Sequence, residues 1–348
     1  MSGTDYRESG VDLEEGERAT SLMARAVRST FDSRVLSDVG LFGGLFRADF
    51  PGVEEPVLVA STDGVGTKLK VASMAGSYGT VGMDLVNHCT NDILVQGARP
   101  LFFLDYIACG RLDAGVAADI VTGLAAACRE NGCALLGGET AEMPGFYGAG
   151  DYDVAGTIVG VVDRSRVIDG SGIRPGMRLI GLPSSGLHTN GYSLARKVLF
   201  GDAGLTVDSR PDELGGSTVG ETLLAVHRSY LKPVAPLLKR SGLVRGLCHV
   251  TGGGIPGNLA RILPEGCGAV VRTGWKEPAV FGLISRLGGV RRGEMLRAFN
   301  MGVGLIAVVP GGEEYETSME LLRGAGEAPF PCGNVVQGDG VRIEEGAG

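Results

Sequence analysis

Glycine is the residue that most constrains how this chain can fold. It accounts for 59 of 348 residues, about 17% against a usual share near 7%. The glycines follow no Gly-X-Y period and are separated by hydrophobic segments, which excludes a collagen-like or low-complexity chain. The composition is instead typical of a globular protein with many tight turns and backbone-lined loops. Loops of that kind can bind phosphate.

Length and charge describe an ordinary globular chain of about two domains of roughly 150 residues each. A net charge of −8 argues against broad nucleic-acid binding, and no apolar run approaches the ~18 residues of a membrane span. The seven cysteines include no C-x-x-C pair, and the polar N-terminal stretch is unlike a secretory signal. We therefore expect a cytoplasmic protein with reduced thiols and no nucleic-acid or membrane partner.

Apolar patterning predicts two α/β domains of mixed α+β character, spanning residues 1–170 and 171–348. A polar, glycine-rich stretch at 163–176 marks the junction. The predicted helices cover residues 15–31, 80–97, 114–130, 191–200, 220–239 and 312–323. The predicted strands cover residues 57–60, 101–108, 133–136, 152–162, 177–182, 247–250, 268–272 and 303–309.

The first candidate site is the sequence STDGVGTK at residues 61–68, directly after a predicted strand. Its glycines let backbone N–H groups approach an anion, and Lys68 supplies a positive charge. It is not a Walker A loop, because no Gly-Lys dipeptide occurs in the chain. A simple glycine turn with an exposed lysine explains the pattern equally well.

The predicted helix over 80–97 carries a polar stripe. At 100° per residue, Asp84, His88, Asn91 and Asp92 fall within about a quarter-turn. A solvated face is one interpretation, but the stripe lacks lysine, arginine and glutamate. Two carboxylates and an amide suit a hard cation such as Mg²⁺.

A further carboxylate, Glu139, follows the predicted strand over 133–136. Ligands of α/β sheets usually bind at the carboxyl ends of strands. Together with Asp63 and Asp92, Glu139 could complete a metal site. Composition and periodicity leave open whether the three converge.

Two loops of the second domain place a histidine beside small and hydroxyl residues ahead of a helix. His188 lies in SSGLHTNGYS (184–193), and His249 begins HVTGGGIPGN (249–258). Such loops favour anion binding near a group that can move a proton, although a hydrogen-bonded loop histidine is the alternative.

The second loop also matches G-x-G-x-x-G over residues 252–257, with Glu277 about 20 residues further on. This is a weak dinucleotide fingerprint, because Pro256 interrupts the loop. A nicotinamide-dependent oxidoreductase is therefore a minor alternative. The chain contains no G-x-S-x-G elbow, so an α/β-hydrolase has no support.

Taken together, these segments resemble the phosphoribosylformylglycinamidine cyclo-ligases, from about Tyr6 to the last strands. The stretch D-x4-G-A-x-P at Asp92–Pro100 is shared with a wider superfamily of ATP-using enzymes. Three stretches are specific to the cyclo-ligases: Gly137–Tyr147 (GGETAEMPGFY), His249–Gly254 (HVTGGG) and Phe299–Gly304 (FNMGVG). Leu41, after Gly40, departs from the family's early glycine loop.

The resemblance implies a C–N-bond-forming ligase of de novo purine biosynthesis. It would close the ring of formylglycinamidine ribonucleotide to aminoimidazole ribonucleotide, using ATP and releasing ADP and phosphate. ATP and Mg²⁺ are the expected cofactors, with K⁺ as an optional further cation. The family's enzymes are homodimers whose first-domain strands form a shared barrel, with a cleft lined by both domains.

The resemblance also implies roles for individual residues. ATP would contact Gly43, Gly44, Asp63, Gly64, Lys68, Asn91, Asp92 and Glu139, with Asp84 in support. Mg²⁺ would bind Asp63, Asp92 and Glu139. The ribonucleotide would contact His188, Thr189, Asn190, Thr251, Gly252, Gly253 and Gly254. Lys68, His188 and His249 are the candidate catalytic residues, and either histidine could carry the proton.

The remaining alternatives are a superfamily member with another substrate and a non-catalytic ATP-binding protein. Selenophosphate synthetase needs a reactive cysteine or selenocysteine early in the chain, and here no cysteine precedes Cys89. Thiamine-monophosphate kinase would be expected to carry an acidic loop where this chain has HVTGGG. A non-catalytic protein would be expected to lose acidic or histidine positions that this chain retains.

Overall fold

The computed structural model describes residues 12–40 and 43–345, which form two β-sheets with helices packed against them. This confirms the predicted mixed α/β architecture. Tyr6, where the resemblance begins, and Leu41, where it departs from the family pattern, lie outside the described residues.

The first sheet has the strand order β1-β4-β2-β3, in which only β2 and β3 run parallel. The elements of this part are α1 (Leu13–Arg28), β1 (Pro56–Gly64), α2 (Lys68–Ala75), α3 (Gly79–Leu94), β2 (Arg99–Cys109), α4 (Ala114–Asn131), β3 (Ala134–Glu142) and β4 (Tyr152–Asp163).

The second sheet has the order β10-β7-β9-β5-β8-β6 and is antiparallel apart from the β7–β10 pair. The predicted domain boundary at 170/171 falls in the connection between β4 and β5. The elements are β5 (Arg178–Pro183), α5 (Tyr192–Arg196), α6 (Val219–Leu223), α7 (Leu231–Leu238), β6 (Gly246–His249), α8 (Gly254–Leu259), β7 (Cys267–Arg272), α9 (Ala279–Gly288), α10 (Arg292–Ala298), β8 (Val303–Val309), α11 (Glu313–Gly324), β9 (Phe330–Gln337) and β10 (Val341–Glu344).

Glycine brings α3 and α4 together on the inner face of the first sheet. A Cβ atom at Gly82 would collide with the backbone of α4 at Ile120, and one at Gly123 would collide with Gly79. The Asp113 carboxylate caps α4 by accepting the N–H groups of residues 115 and 116. Close packing of the two helices fixes the position of α3, which carries the polar stripe.

The outer face of the first sheet exposes several large apolar side chains. Leu58, Leu104 and Tyr106 project from it with 61%, 37% and 38% of their surfaces exposed. Large side chains on one open sheet face are typical of a surface that another protein covers.

Several predicted elements are corrected. The continuous helix over 220–239 is wrong: α6 ends at Leu223, α7 begins at Leu231, and residues 225–230 are irregular. In addition, β1 and β3 run further than predicted, to Gly64 and Glu142. Patterning also missed α2, α8, α9, α10, β9 and β10. Among the described residues, no helix is both long and apolar enough to span a membrane.

Candidate active site

A cavity of about 640 Å³ opens between β1 and α3 on one side and the segments around β6 and α8 on the other. Its wall therefore combines residues from both halves of the chain. Its polar lining includes Ser61, Asp63, His88, Asp92, His249 and Arg261.

One end of the α3 stripe is closed to solvent. Asp84 and Lys68 are both fully buried, and the Lys68 ammonium lies 2.7 Å from the Asp84 carboxylate. Lys68 also donates a 2.8 Å hydrogen bond to the carbonyl of Ala225 in the second half of the chain. Burial lowers the pKa of Lys68 and raises that of Asp84, although their mutual attraction opposes both shifts. Lys68 is therefore not an exposed turn lysine.

The same helix holds the irregular segment before α7. The Asp84 carboxylate accepts the N–H of His227, and Asn87 donates to the His227 carbonyl. Asn91 accepts the N–H of Tyr230 and donates to the carbonyl of Arg228. These side chains satisfy backbone groups that a continuous helix would have paired internally, which explains why the predicted helix breaks here.

The other end of the stripe faces the cavity. Asp92 accepts a hydrogen bond from the Ser61 hydroxyl at 3.0 Å, and its second oxygen lies 2.8 Å from Nδ1 of His249. The His249 contact joins α3 to the end of β6 and so links the two sheets. Burial tends to raise the pKa of Asp92, but the His249 bond and charge lower it overall.

His88 forms a second imidazole–carboxylate pair on the cavity wall. Its Nε2 lies 2.7 Å from Asp63 and 3.8 Å from Asp92. Burial tends to lower the pKa of His88, but the Asp63 hydrogen bond and the nearby carboxylates outweigh it and raise the pKa. Burial dominates at His249, whose pKa is lowered despite Asp92.

Thr189 and His227 connect the two imidazole–carboxylate pairs. The Thr189 hydroxyl lies 2.7 Å from Nδ1 of His88 and 3.2 Å from Nδ1 of His227. Nε2 of His227 lies 3.0 Å from Nε2 of His249. Hydrogen bonds therefore run unbroken from Asp63 to Asp92 across both halves of the chain.

His188 lies behind this network and does not line the cavity. Its ring stacks on His227 at 4.0 Å, and its Nε2 accepts the N–H of Ser185. A Cβ at Gly304, within the FNMGVG stretch, would collide with Tyr230 and crowd His188. Burial holds the pKa of His188 well below its usual value.

His227 is the site residue that sequence reasoning missed, because it fell inside the predicted helix over 220–239. One signal was available in the sequence. The chain has only four histidines, and all four rings meet in this cluster.

Family models match both halves of the chain. The N-terminal domain of AIR synthase related protein matches residues 49–162, and the C-terminal domain of AIR synthase related protein matches residues 174–345. Among curated proteins, the phosphoribosylformylglycinamidine cyclo-ligase of Myxococcus xanthus is 52% identical over 97% of both chains. That of Sorangium cellulosum is 51% identical over 98% of this chain and 97% of its own.

The chain belongs to the phosphoribosylformylglycinamidine cyclo-ligase family.

Solved structures share the fold of this cyclo-ligase family member. Thiamine-monophosphate kinase from Stenotrophomonas maltophilia superimposes with a TM-score of 0.67 at 16% identity, covering 93% of this chain and 96% of its own. Hydrogenase maturation protein HypE in complex with ATP gives 0.65 at 21% identity, covering 97% and 92%. At these identities the likeness concerns the fold alone.

The cyclo-ligase loop HVTGGG is held by Asn258, whose amide donates to the carbonyls of Thr251, Gly252 and Gly254. Thr251 lines the cavity, and Asn190 lies beside Gly252. The dinucleotide alternative is not supported, because among the described strands β6 pairs only with β8 and runs antiparallel to it. A Rossmann fingerprint needs a parallel βαβ unit.

Glu139 does not meet Asp63 and Asp92 within one chain. Glu139 on β3 is paired with Tyr106 on β2. Tyr106 is paired with Ala155 on β4, and Ala155 is paired with Gly64 on β1, the residue after Asp63. Three strand spacings of about 4.8 Å put some 14 Å between these edges. Glu139 also shares the outer face with Tyr106, whereas Asp63 faces α3. Gly44 packs against Leu136, so the Gly43–Gly44 segment lies at the β3 edge as well.

Within one chain, these positions do not fit a magnesium ion held by the protein through the three predicted carboxylates. Glu139 is at the far edge, and the groups beside Asp92 are two imidazoles and a hydroxyl. Mg²⁺ prefers a shell of oxygen ligands and usually binds through substrate phosphates and waters.

Proposed function

We propose that the protein closes the ring of formylglycinamidine ribonucleotide to aminoimidazole ribonucleotide, using ATP and releasing ADP and phosphate. One observation carries the proposal beyond family membership: the contact between Asp92 and His249 on the cavity wall. It joins the part of the chain expected to bind ATP (1–170) to the part expected to complete the cleft (171–348). A reaction between a nucleotide and a second substrate needs such a shared wall.

The chemistry follows from the leaving group. An amide oxygen leaves poorly, but transfer of the γ-phosphoryl group of ATP to it yields a phosphate that leaves readily. A nearby amidine nitrogen then attacks the same carbon, and the ring nitrogen loses a proton. Holding both ends of the substrate in one cavity removes much of the entropic barrier. Mg²⁺ enters as part of the ATP complex, bound to its phosphate oxygens.

The cavity suggests a division of roles. Asp92 and His249 act at the reacting end, because both line the wall. The HVTGGG loop and Asn190 contact the ribonucleotide. His188 positions His227 instead of meeting substrate.

For Lys68 we propose a structural role. Its ammonium is fully buried on Asp84 and on backbone carbonyls, so the role predicted for it at the ATP phosphates is replaced by one in joining the two parts of the chain. Asn91 is likewise assigned to holding the segment before α7 and not to ATP.

We further propose that the enzyme is a homodimer in which the partner covers the open face of the first sheet. Gly43, Gly44 and Glu139 lie at the β3 edge, so we assign them to the nucleotide bound at the partner's Asp92. The test mixes two variants, Glu139→Gln and Asp92→Asn, each inactive alone. Regained activity in the mixture supports a shared site, and no regain in a mixture whose subunits have exchanged contradicts it.

The function itself is tested by incubating the protein with Mg–ATP and formylglycinamidine ribonucleotide while ADP and the diazotisable aminoimidazole are measured together. Equal amounts of both products, dependent on both substrates, are expected. ADP without aminoimidazole would point to another substrate of the superfamily. A folded protein that binds ATP and yields neither product would contradict the proposal.

A further inference from the structure

We propose that His88, Asp92 and His249 form a binding site for a divalent transition-metal ion such as Mn²⁺, Co²⁺ or Zn²⁺. His249 would then act in the site as a metal ligand. The inference follows from the geometry and holds for whichever substrate the cavity takes.

The three residues offer a compact donor set. One nitrogen of each imidazole and one oxygen of Asp92 lie within 4.8 Å of one another. All three side chains line the cavity, so a bound ion keeps open positions toward it. Two imidazoles with one carboxylate suit transition metals, whereas Mg²⁺ prefers oxygen ligands.

Hydrogen bonds outside the donor set already orient both imidazoles. The Nδ1 of His88 lies 2.7 Å from the Thr189 hydroxyl, which leaves Nε2 directed at the carboxylates. The Nε2 of His249 lies 3.0 Å from His227, which leaves Nδ1 directed at Asp92. Metal-bound histidines usually make such a bond through their second nitrogen, and it fixes the ring.

Local charge favours a cation at the same place. Asp63 and Asp92 both lie close to Nε2 of His88, at 2.7 and 3.8 Å, and both are only partly shielded from the cavity. Within residues 12–40 and 43–345, no lysine or arginine forms an ion pair with either carboxylate. A divalent ion bound at Asp92, with Asp63 next to it, would compensate both charges.

A second trio, His188, His227 and His249, also brings three nitrogens within 4.8 Å, but its geometry is poorer. The rings of His188 and His227 stack with only 19° between their planes. Imidazole lone pairs lie in the ring plane, so two stacked rings cannot direct them at one ion. The Nε2 of His188 is also occupied by the Ser185 N–H.

The test uses the full chain, purified without a histidine tag, stripped with chelator and titrated with Co²⁺ in the absence of substrates. Visible absorption should report one bound ion per chain that a large excess of Mg²⁺ does not displace. His88→Gln should weaken Co²⁺ binding at least about 100-fold. Loss of a residue that only hydrogen-bonds to a metal ligand typically weakens binding about 10–100-fold. The matched control, His188→Gln, should change it by no more than about 10-fold.

The reverse pattern would assign the ion to the second trio and overturn the proposal. Equal binding by both variants would indicate surface binding only and would also overturn it. If His88→Gln fails to fold, as judged by circular dichroism, X-ray absorption at the cobalt edge of the unaltered protein decides. Two imidazole ligands support the site, and an all-oxygen shell contradicts it. Neither result depends on turnover, so the proposed reaction is tested separately.

Discussion

Asp84 and Asp92 lie about two turns apart on α3, and their surroundings are opposite. Asp84 is closed off from solvent, paired with the ammonium of Lys68 and with the backbone of His227. Asp92 lines a cavity and meets a hydroxyl and an imidazole there. One helix therefore uses one carboxylate to fasten the second half of the chain and another to build a site. Residue type alone does not separate the two roles; the groups that meet each carboxylate do.

The largest expected effect is on stability and comes from disrupting the buried Lys68–Asp84 pair at the closed end of α3. Lys68→Met leaves the Asp84 carboxylate buried without its cation, which should lower the free energy of unfolding by about 3–5 kcal/mol. The double variant Lys68→Met/Asp84→Leu removes both charges and should recover most of that loss. Denaturant titration measures both variants. A double variant as unstable as the single one would contradict a paired-charge role for Lys68.

At the Asp92 end of α3, which lines the cavity, a substitution should lower turnover more than stability. His249→Gln removes the imidazole that contacts Asp92 on the cavity wall. We expect the rate to drop about 100-fold, worth about 2.7 kcal/mol of transition-state stabilisation, while stability changes by about 1 kcal/mol or less. Steady-state kinetics and thermal unfolding separate the two quantities. A full kcat with a raised KM would make His249 a binding residue.

Acid should destabilise the histidine cluster. Burial lowers the pKa values of His188, His227 and His249, so these rings stay neutral in the folded chain while their unfolded forms take up protons below about pH 6.5. Stability is therefore present above that pH and lost as the pH falls. A ring that stays neutral in the folded chain contributes at most about 1.4 kcal/mol per pH unit.

The raised pKa of His88 acts in the opposite sense, because its contribution is complete below pH 6.5 and is lost as the pH rises through the folded value. The free energy of unfolding, measured with chelator present between pH 5 and 7, tests which of these two opposing effects is larger. His227→Gln should reduce the slope of unfolding free energy against pH by the contribution of one imidazole. An unchanged slope would mean that His227 does not stay neutral.

The smallest effect should come from Ser61→Ala, which removes the hydroxyl that donates to Asp92. One hydrogen bond to a charged group is worth about 1.5–3 kcal/mol at most, and partial exposure to the cavity reduces this. We expect turnover to fall less than about 10-fold. A loss as large as that of His249→Gln would mean that Ser61 acts directly on a substrate.

Sequence patterning predicted the polar face of α3 correctly, because helical periodicity fixes which residues share a face. It could not divide that face into a closed and an open end, since the division depends on which groups of the second half pack against it. It also missed His227: the apolar spacing over 220–239 is helical, but Asp84 and Asn91 bind the backbone there instead. The separation of Glu139 from Asp63 within one chain was not predictable from the sequence pattern, because it follows from the continuation of β3 to Glu142 and from the strand alternation that turns Glu139 to the outer face.

The most direct test changes the two carboxylates in the same way. Asp84→Asn and Asp92→Asn make one chemical change at positions eight residues apart on one helix, so each serves as the control for the other. Unfolding free energy and the rate of aminoimidazole formation are measured for both. The expected result is that Asp84→Asn loses several kcal/mol of stability because it leaves Lys68 buried and unpaired. Asp92→Asn should keep its stability and lose about 100-fold in rate. An Asp92→Asn enzyme with full turnover, or one that unfolds as readily as Asp84→Asn, would contradict the division of α3 into a structural end and a reacting end.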